Sequence, residues 1–269
     1  MAITTFADIY SGVAQQFNFS KVATTGSSAA DPVFTFAWSG FPGAGSSGSG
    51  LSGSLRDNTS SGALPFKDPA SGQNTYLSSL DYSGTGLTSG RSVLVVDLLW
   101  ITSALSQVTT TQTINSITLP SRDMDGSTNG RGVYIAMWHT AAYSTSNAYT
   151  ATITYTNSAN AGSRTGSVSR TGGNSFRFVP FSLAEGDEGV KSVQNFTFSA
   201  VPGAGGTTLL IAYRPIAVVS SGFSNSSAPL SERAFTLGLP RIYDGSCVSF
   251  VNLAGENATT SGHCLFSQG

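Results

Sequence analysis

Residues 150–168 read TATITYTNSANAGSRTGSV. Every second residue from Thr150 to Thr156 is a threonine, and the residues between them are Ala151, Ile153 and Tyr155. Because side chains of a β-strand point alternately to its two faces, this pattern predicts a strand with an apolar inner face. The threonines then form an outer row that is polar without charge, and the Asn, Gly and Ser residues that follow predict a turn and a returning strand.

Further strand-like stretches follow residue 91, separated by Gly, Asn, Ser or Pro residues. They are SVLVVDLLWI (92–101), GVYIAMWHT (132–140), YTATITYT (149–156), SFRFVPF (175–181), SVQNFTFSA (192–200), TTLLIAYRPIAVV (207–219) and CVSFVNLA (247–254). Short helices are expected only at 6–17 and 230–239. The fold class expected is mostly β: an antiparallel β-sandwich or jelly-roll body.

Residues 1–90 have a different composition, with one short strand-like stretch at 33–38 and a glycine-serine tract after it. Such a tract resembles a linker, yet aromatic residues are scattered through this part of the chain. We therefore expect two parts, an extended N-terminal arm (1–90) and a β-sandwich domain (91–269). The aromatic residues of the arm would anchor it to its own body or to a neighbouring chain, and a chain beginning at Ser92 would fold alone.

The composition limits the classes of function. Charged residues make up 10% of the 269 residues, the net charge is −1, and 31 residues are glycine. Without a basic run, neither a nucleic acid nor a membrane surface is an expected partner. A weakly charged surface rich in hydroxyl groups favours self-association instead. The N-terminal stretch lacks the pattern of a signal peptide, and Asp97 and Arg214 interrupt the longest apolar runs, so we expect synthesis in a cytoplasm.

For two motifs, a structural interpretation is better supported than a chemical one. Gly43–Gly48 matches GxGxxG, but the dinucleotide fingerprint requires a strand before it and a helix after it. Asp123, Asp125 and Gly126 resemble the start of a calcium loop, but no distal glutamate follows them, so an Asp/Gly turn is expected.

The remaining candidates for chemistry are few. His139 lies at a strand end, where a structural role is expected, and His263 lacks a second Cys/His pair for zinc. Glu185, Asp187 and Glu188 could form paired carboxylates for glycoside cleavage, but turn acids are the default interpretation. We therefore expect no catalytic residue, no cofactor and no metal site.

The only cysteines are Cys247 and Cys264. A disulfide between them would stabilise the fold by roughly 3 kcal/mol in the chain-entropy model. A cytosolic origin favours free thiols, and the sequence leaves both states open.

A family resemblance begins near residue 129. NGRGVYIAMWHTAAYSTSNAYTATITYTNSANAGSRTGSV resembles a segment of tailed-bacteriophage structural proteins, in which an NGxG-hydrophobic strand leads into a T-V-T-Y-T-N…G…R-T hairpin. The resemblance continues through LAEGDEGVKSVQNFTFSA, LLIAYRPIA and GLPRIYDGSCVSFV, over roughly residues 90–255. It implies a virion component that decorates or cements the head.

The function expected from the sequence is therefore non-enzymatic and structural. The partners expected are the major capsid protein and further copies of this chain, with a trimer favoured, and the location is the virion after synthesis in the bacterial host cytoplasm. A tail or head-fibre component and a carbohydrate-binding adhesin remain alternatives. An enzyme that uses His139 or His263 is the weakest of the alternatives.

Overall fold

The computed structural model describes residues 3, 6–22, 32–84, 91–143, 147–171, 177–221, 239–253 and 259–269. Within these residues the chain is almost entirely antiparallel β-structure, with one α-helix, α1 (Phe6–Ser11), and one short 3₁₀ helix (Thr35–Ala37). None of the described helices is long and apolar enough to span a membrane. The predicted fold class is confirmed.

The strands form three sheets. Sheet I has the order β11-β8-β13-β6-β15-β2, with β4 paired to β6; sheet II has the order β10-β9-β12-β7; and sheet III has the order β14-β5-β16-β1-β3. The bounds in chain order are β1 Val13–Val22, β2 Val33–Phe34, β3 Ser39–Phe41, β4 Ser54–Leu55, β5 Thr75–Gly84, β6 Arg91–Ile101, β7 Gln112–Thr113, β8 Tyr134–Ala141, β9 Ala148–Asn157, β10 Arg164–Thr171, β11 Phe178–Pro180, β12 Val190–Phe198, β13 Thr207–Ser221, β14 Arg241–Ile242, β15 Val248–Asn252 and β16 Thr260–Gln268.

The strand predictions after residue 91 match sheets I and II closely. β6, β8, β9, β11, β12, β13 and β15 overlap the seven predicted stretches. In the first 22 residues the predicted helix (6–17) ends at Ser11, and β1 begins at Val13. The second predicted helix (230–239) lies outside the described residues except for Leu239.

Sheet I packs on both faces because its strands are apolar on both. On one face, Leu99 and Met137 pack against Ile153 and Phe196 of sheet II. Further along the same face, Val95 packs among side chains of sheet III. Val95 and Leu99 are four residues apart on β6, so they share a face, and this face supports two separate apolar cores.

Side chains from residues before residue 90 join those of sheet I in an apolar cluster on its opposite face. Phe34 and Phe36 pack against Trp138, with ring centroids 5.3 and 6.1 Å apart, in a third apolar cluster that also holds Val96 and Leu98. The aromatic anchors predicted for the N-terminal part therefore contact the chain's own body.

The glycine-serine tract also packs against the body. A Cβ atom added at Gly45 would lie 2.2 Å from the ring of Phe36, and one added at Gly62, where φ is +94°, would lie 2.6 Å from the same ring. The backbone N–H of Gly48 donates to Thr102 O at 3.0 Å. These glycines allow close approach, so the linker-like composition does not mark a linker here.

Strand pairing also crosses the predicted border between residues 90 and 91. β16 lies between β1 and β5, with Cys264 opposite Phe17 on one side and opposite Leu80 on the other. For the described residues, this pairing corrects the prediction that residues 1–90 form an extended arm. The strands of 1–90 are integral because their apolar side chains need the sandwich interior.

A buried carboxylate separates the two cores on the shared face of sheet I. Asp97 lies between Val95 and Leu99 on β6 and is fully buried. Its Oδ2 atom is 3.3 Å from Nε of Arg122 and 3.8 Å from Nη2 of Arg214. This site explains why charges interrupt the two longest apolar runs of the sequence.

The other contacts of Asp97 reach a fourth element. Ser246 Oγ donates to Oδ2 at 2.8 Å, and the backbone N–H of Cys247 donates to Oδ1 at 2.9 Å. Arg122 also donates to the carbonyl oxygens of Gly245 and Arg56. The Asp97 cluster therefore joins β6, β13, the approach to β15 and the loop that holds Arg122.

A chain that begins at Ser92 is expected not to fold cooperatively. The truncation removes β1 and β5, so β16 loses both neighbours and the core between sheets I and III is exposed. Circular dichroism with thermal melting would test this. A cooperative transition like that of the full chain would contradict the expectation and restore the independent body predicted from sequence.

The Asp97→Ala variant is expected to lose about 3–5 kcal/mol of unfolding free energy, because two buried arginines lose their counter-ion. The matched control is Asp125→Ala, which removes an exposed ion pair with Arg131 at 3.0 Å and is expected to cost about 0–1 kcal/mol. Urea unfolding of both variants measures the difference, and equal losses would contradict the role given to Asp97.

Candidate interaction surface

The outer face of sheet II carries the most regular array of polar groups among the described residues. The pairs Thr154–Thr165, Thr152–Ser167 and Thr150–Ser169 lie directly opposite one another on β9 and β10. This array, the hydroxyl face, consists of Thr150, Thr152, Thr154, Thr156, Thr165, Ser167, Ser169, Ser192, Asn195 and Thr197. None of these ten side chains is charged.

The predicted division of β9 into two faces is confirmed. Ala151, Ile153 and Tyr155 are fully buried, whereas the four threonines are half-buried on the other side. Thr150 Oγ1 and Ser169 Oγ share a hydrogen bond of 2.9 Å, so neighbouring hydroxyl groups partly satisfy one another. A shallow depression of about 420 Å³ at one end of the face is lined by Thr150, Ser169 and Ser199, among others.

The turn that closes the β9–β10 hairpin is held by a buried carboxylate. Asp187 accepts hydrogen bonds from Tyr155 Oη at 2.5 Å, Asn157 Nδ2 at 2.6 Å and Arg164 Nε at 2.9 Å. The Asp187 side chain is 3% exposed. The hydrogen bond from Arg164 is the main reason that its pKa is lowered to about 2, against the opposing effect of burial.

These contacts account for three residues of the hairpin motif noted in the sequence. Tyr155, Asn157 and Arg164 are the Y, N and R of the T-Y-T-N…G…R-T hairpin, and Asp187 lies in the LAEGDEG stretch. The expectation that Glu185, Asp187 and Glu188 are ordinary turn acids fails for Asp187, which is enclosed. Glu188 is different: its side chain is 66% exposed and pairs with Arg131 at 3.0 Å.

His139 belongs to a buried polar cluster. Its Nδ1 atom is 2.7 Å from Thr208 Oγ1, and its Nε2 atom is 3.3 Å from Tyr149 Oη. Burial, together with the nearby charges of Arg177 and Arg170, lowers the pKa of His139 to about 3, so the ring is neutral at pH 7. His139 therefore connects β13, through Thr208, with β9, through Tyr149, inside the fold.

His263, the second histidine, lies on β16 and is half-buried, opposite Asn18 and Asp81 in the strand register.

The Asp123 turn matches its structural interpretation. The carboxylate of Asp123 accepts backbone N–H groups of Asp125 at 3.0 Å, Ser127 at 2.7 Å and Gly130 at 2.9 Å. Its oxygens are thus directed at the backbone of its own loop. Across the part of the chain that is described, no group of three or more His, Cys, Asp or Glu residues is placed to hold a metal ion.

Both cysteines are free thiols. Cys247 belongs to the apolar cluster that holds Phe34, Phe36 and Trp138, and Cys264 to the core between sheets I and III. Burial raises the pKa of Cys247 to about 12 and that of Cys264 still further, so neither thiol is a reactive thiolate at neutral pH. Of the two states that the sequence left open, the structure has the unpaired one.

The Gly43–Gly48 tract lies in a loop, without the helix that a dinucleotide site requires. It borders a depression of about 690 Å³ whose lining includes Phe41, Pro42, Pro65 and Phe66. Phe41 is 43% exposed.

A buried lysine that sequence reasoning missed lies behind this depression. Lys21 Nζ donates to the carbonyl oxygens of Pro42 at 2.8 Å, Trp38 at 2.9 Å and Gly43 at 3.0 Å. Burial lowers its pKa to about 8. The only signal in the sequence is a lone lysine after the alternating FNFS stretch, which gives no sign of its carbonyl partners.

Among the aromatic side chains that the structure describes, Phe41 is the most exposed. Trp38, Trp100 and Trp138 are at most 1% exposed. Each tyrosine whose side chain is described is buried or half-buried.

Comparisons with known proteins leave the family open, since no family model and no curated protein matches the chain. The crystal structure of the infectious bursal disease virus VP2 subviral particle is 11% identical, with a TM-score of 0.21, and the alignment covers 93% of this chain and 80% of that one. The structure of the virus's Gt strain is 12% identical, with a TM-score of 0.21 and coverages of 93% and 81%. Likenesses at such TM-scores carry no argument about function. The fold and the surface define an antiparallel β-sandwich protein with an uncharged polar face.

The Asp187→Asn variant is expected to lose about 2–3 kcal/mol of unfolding free energy at pH 7, the loss typical of hydrogen bonds to a charged group. Because the folded pKa lies below the unfolded value of 3.8, the stabilisation by Asp187 is complete above pH 4 and declines as the pH falls towards 2. The difference between parent and variant should therefore narrow over that range. Denaturant titrations at several pH values, with Glu188→Gln as the exposed control, measure it, and a constant difference would contradict the expectation.

Proposed function

We propose that this chain is a non-enzymatic structural protein of a tailed-bacteriophage virion, which decorates or cements the capsid shell in many copies. The observation that carries the proposal is the hydroxyl face: ten uncharged, hydrogen-bonding side chains on the outer side of one sheet. Such a face can make many weak directional contacts, and attachment through several copies multiplies them.

The resemblance to phage structural proteins supports the same proposal. Three of its residues, Tyr155, Asn157 and Arg164, converge on Asp187 and stiffen the hairpin that carries seven of the ten side chains of the hydroxyl face. In this chain the motif holds the hydroxyl face in shape. This agrees with a protein whose work is attachment.

The low charge of the chain also suits dense packing. With 10% charged residues and a net charge of −1, copies placed side by side on a shell repel one another little. The aromatic side chains of residues 33–38 pack inside the chain itself. The contact with the shell is therefore assigned to the hydroxyl face and to exposed apolar residues such as Phe41, and the major capsid protein is the proposed partner.

A tail or head-fibre component of the same virion is the second candidate, because it would share the composition. Copy number separates the two, since a shell protein occurs in hundreds of copies and a fibre in few. The carbohydrate-binding adhesin is less well supported, because the three tryptophans are buried and the described tyrosine side chains are buried or half-buried.

The test is whether the protein co-purifies with intact particles of the phage that encodes it, and at what ratio to the major shell subunit. We expect stoichiometric occupancy for the parent and loss of most of it for Thr152→Arg/Thr154→Arg, which places two bulky charges in the centre of the hydroxyl face. The control Ala70→Arg/Ser71→Arg adds the same charges on an exposed turn.

Three outcomes would contradict the proposal: absence of the protein from particles, equal occupancy of both variants, or turnover of a substrate by the unattached chain. Circular dichroism confirms that the variants are folded before binding is compared.

A further inference from the structure

The NGRG stretch contains the only Asn-Gly dipeptide of the chain, Asn129–Gly130. Asparagine is among the chemically labile residues of proteins, and it loses its side-chain amide most readily when glycine follows. Glycine has no side chain to hinder the reacting nitrogen, and its backbone reaches conformations that other residues rarely adopt. Asn129 is exposed to water, so burial does not protect its amide.

Deamidation at this dipeptide needs only water as a co-reactant. The backbone nitrogen of Gly130 loses its proton and attacks Cγ of Asn129. A C–N bond forms, the side-chain nitrogen leaves as ammonia, and the product is a cyclic succinimide. Water then opens the ring at either of its carbonyl groups and leaves aspartate or isoaspartate at position 129.

In the folded chain the attacking nitrogen is held by a carboxylate. The backbone N–H of Gly130 donates to Oδ2 of Asp123 at 2.9 Å. Asp123 is 1% exposed. Burial opposes its charged form, but hydrogen bonds from its own loop outweigh this effect and keep the pKa of Asp123 below its ordinary value, so the group is ionised at neutral pH. A negative charge at this distance opposes removal of the Gly130 proton.

The backbone around the dipeptide is also fixed. Gly130 is buried with φ at +82°, and a Cβ atom added there would lie 2.1 Å from Val190 O, so the loop packs directly against β12. Ser127 Oγ accepts the N–H of Asn129 at 3.1 Å and donates to Oδ2 of Asp123 at 2.7 Å. Rotation of the dipeptide to close the succinimide ring would break these contacts.

We infer that Asn129 is a site of spontaneous deamidation that the folded loop keeps inactive, and that Asp123 is the residue that restrains the attacking nitrogen. The reaction therefore requires the loop to open, and its rate follows the fraction of chains in which the Gly130 N–H has left Asp123. The inference is independent of the proposed function.

The modification would leave a lasting record of loop opening. Isoaspartate adds one methylene group to the main chain between Ser127 and Gly130, and either product places a new carboxylate in a loop that already contains Asp123 and Asp125. The lengthened backbone cannot restore both hydrogen bonds to Asp123, and the added charge repels the two present. A chain that has reacted thus stays altered after the loop closes.

The rate of deamidation in folded and unfolded chains tests the first part of the inference. Trypsin cleaves after Arg122 and Arg131 and so releases the peptide Asp123–Arg131. Mass spectrometry of this peptide, after incubation of the parent chain at mildly alkaline pH, measures the fraction in which an amide has become an acid. We expect the folded chain to react about tenfold more slowly, or slower still, than the same chain in guanidinium chloride. Equal rates would overturn the inference.

The Asp123→Asn variant tests the role of the carboxylate. It keeps the size of the side chain but removes the charge that faces Gly130, and we expect deamidation of the folded variant to be about tenfold faster than that of the parent. The matched control is Glu188→Gln, which removes an exposed carboxylate that contacts Arg131 of the same loop at 3.0 Å and should leave the rate unchanged.

A milder variant decides the matter if Asp123→Asn does not fold. Ser127→Ala removes the hydroxyl that links Asn129 to Asp123 and should also accelerate the reaction. Circular dichroism verifies that each variant is folded, and fragmentation of the peptide assigns the modified residue. A folded variant of either kind that reacts no faster than Glu188→Gln would show that the Asp123 contacts do not restrain the dipeptide.

Discussion

The architecture depends on how one buried charge is neutralised. Asp97 lies in the middle of β6, where the two apolar cores of sheet I meet, and it is enclosed by Arg122, Arg214, Ser246 and the backbone of Cys247. A carboxylate in such surroundings is tolerated only if it is paired and hydrogen-bonded. Because the carboxylate of Asp97 needs these partners, the Arg122 loop, β13 and the approach to β15 must all lie next to it. Sheets II and III can therefore occupy separate halves of one face.

The sequence alone predicts those strands whose own alternation of polar and apolar residues determines which side is buried. β9 is the clearest case, because the alternation of threonine with Ala151, Ile153 and Tyr155 determines both the strand and the side that is buried. β6 and β13 are apolar over most of their length, and this made them recognisable as strands buried on both faces. Asp97 and Arg214 were visible only as interruptions, since their pairing joins two strands and a distant loop.

The N-terminal region could not be predicted in this way because its strands are specified by partners far along the chain. β5, with the sequence TYLSSLDYSG, mixes polar and apolar residues, and its pairing with β16 gives it a defined place. The composition of the glycine-serine tract is ambiguous because glycine has two uses: it makes a linker flexible, and it lets the backbone approach a ring closely, as at Phe36. The candidate surface was predicted in part. The hydroxyl row followed from β9 alone, but the residues that brace it, Arg164 and Asp187, converge only through the hairpin.

The position of β16 between β1 and β5 has a consequence for biosynthesis. Phe17 of β1 pairs with Cys264 of β16, so β1 can form this pairing only after β16 has been synthesised. Contacts of such long sequence separation slow folding and prolong the exposure of unpaired strands. During translation, β1 and β5 therefore lack the strand that pairs with both of them. A nascent chain interrupted before β16 cannot bury the apolar side chains of sheet III. The fold thus depends on complete synthesis of β16, because only chains elongated through this strand can reach the folded state.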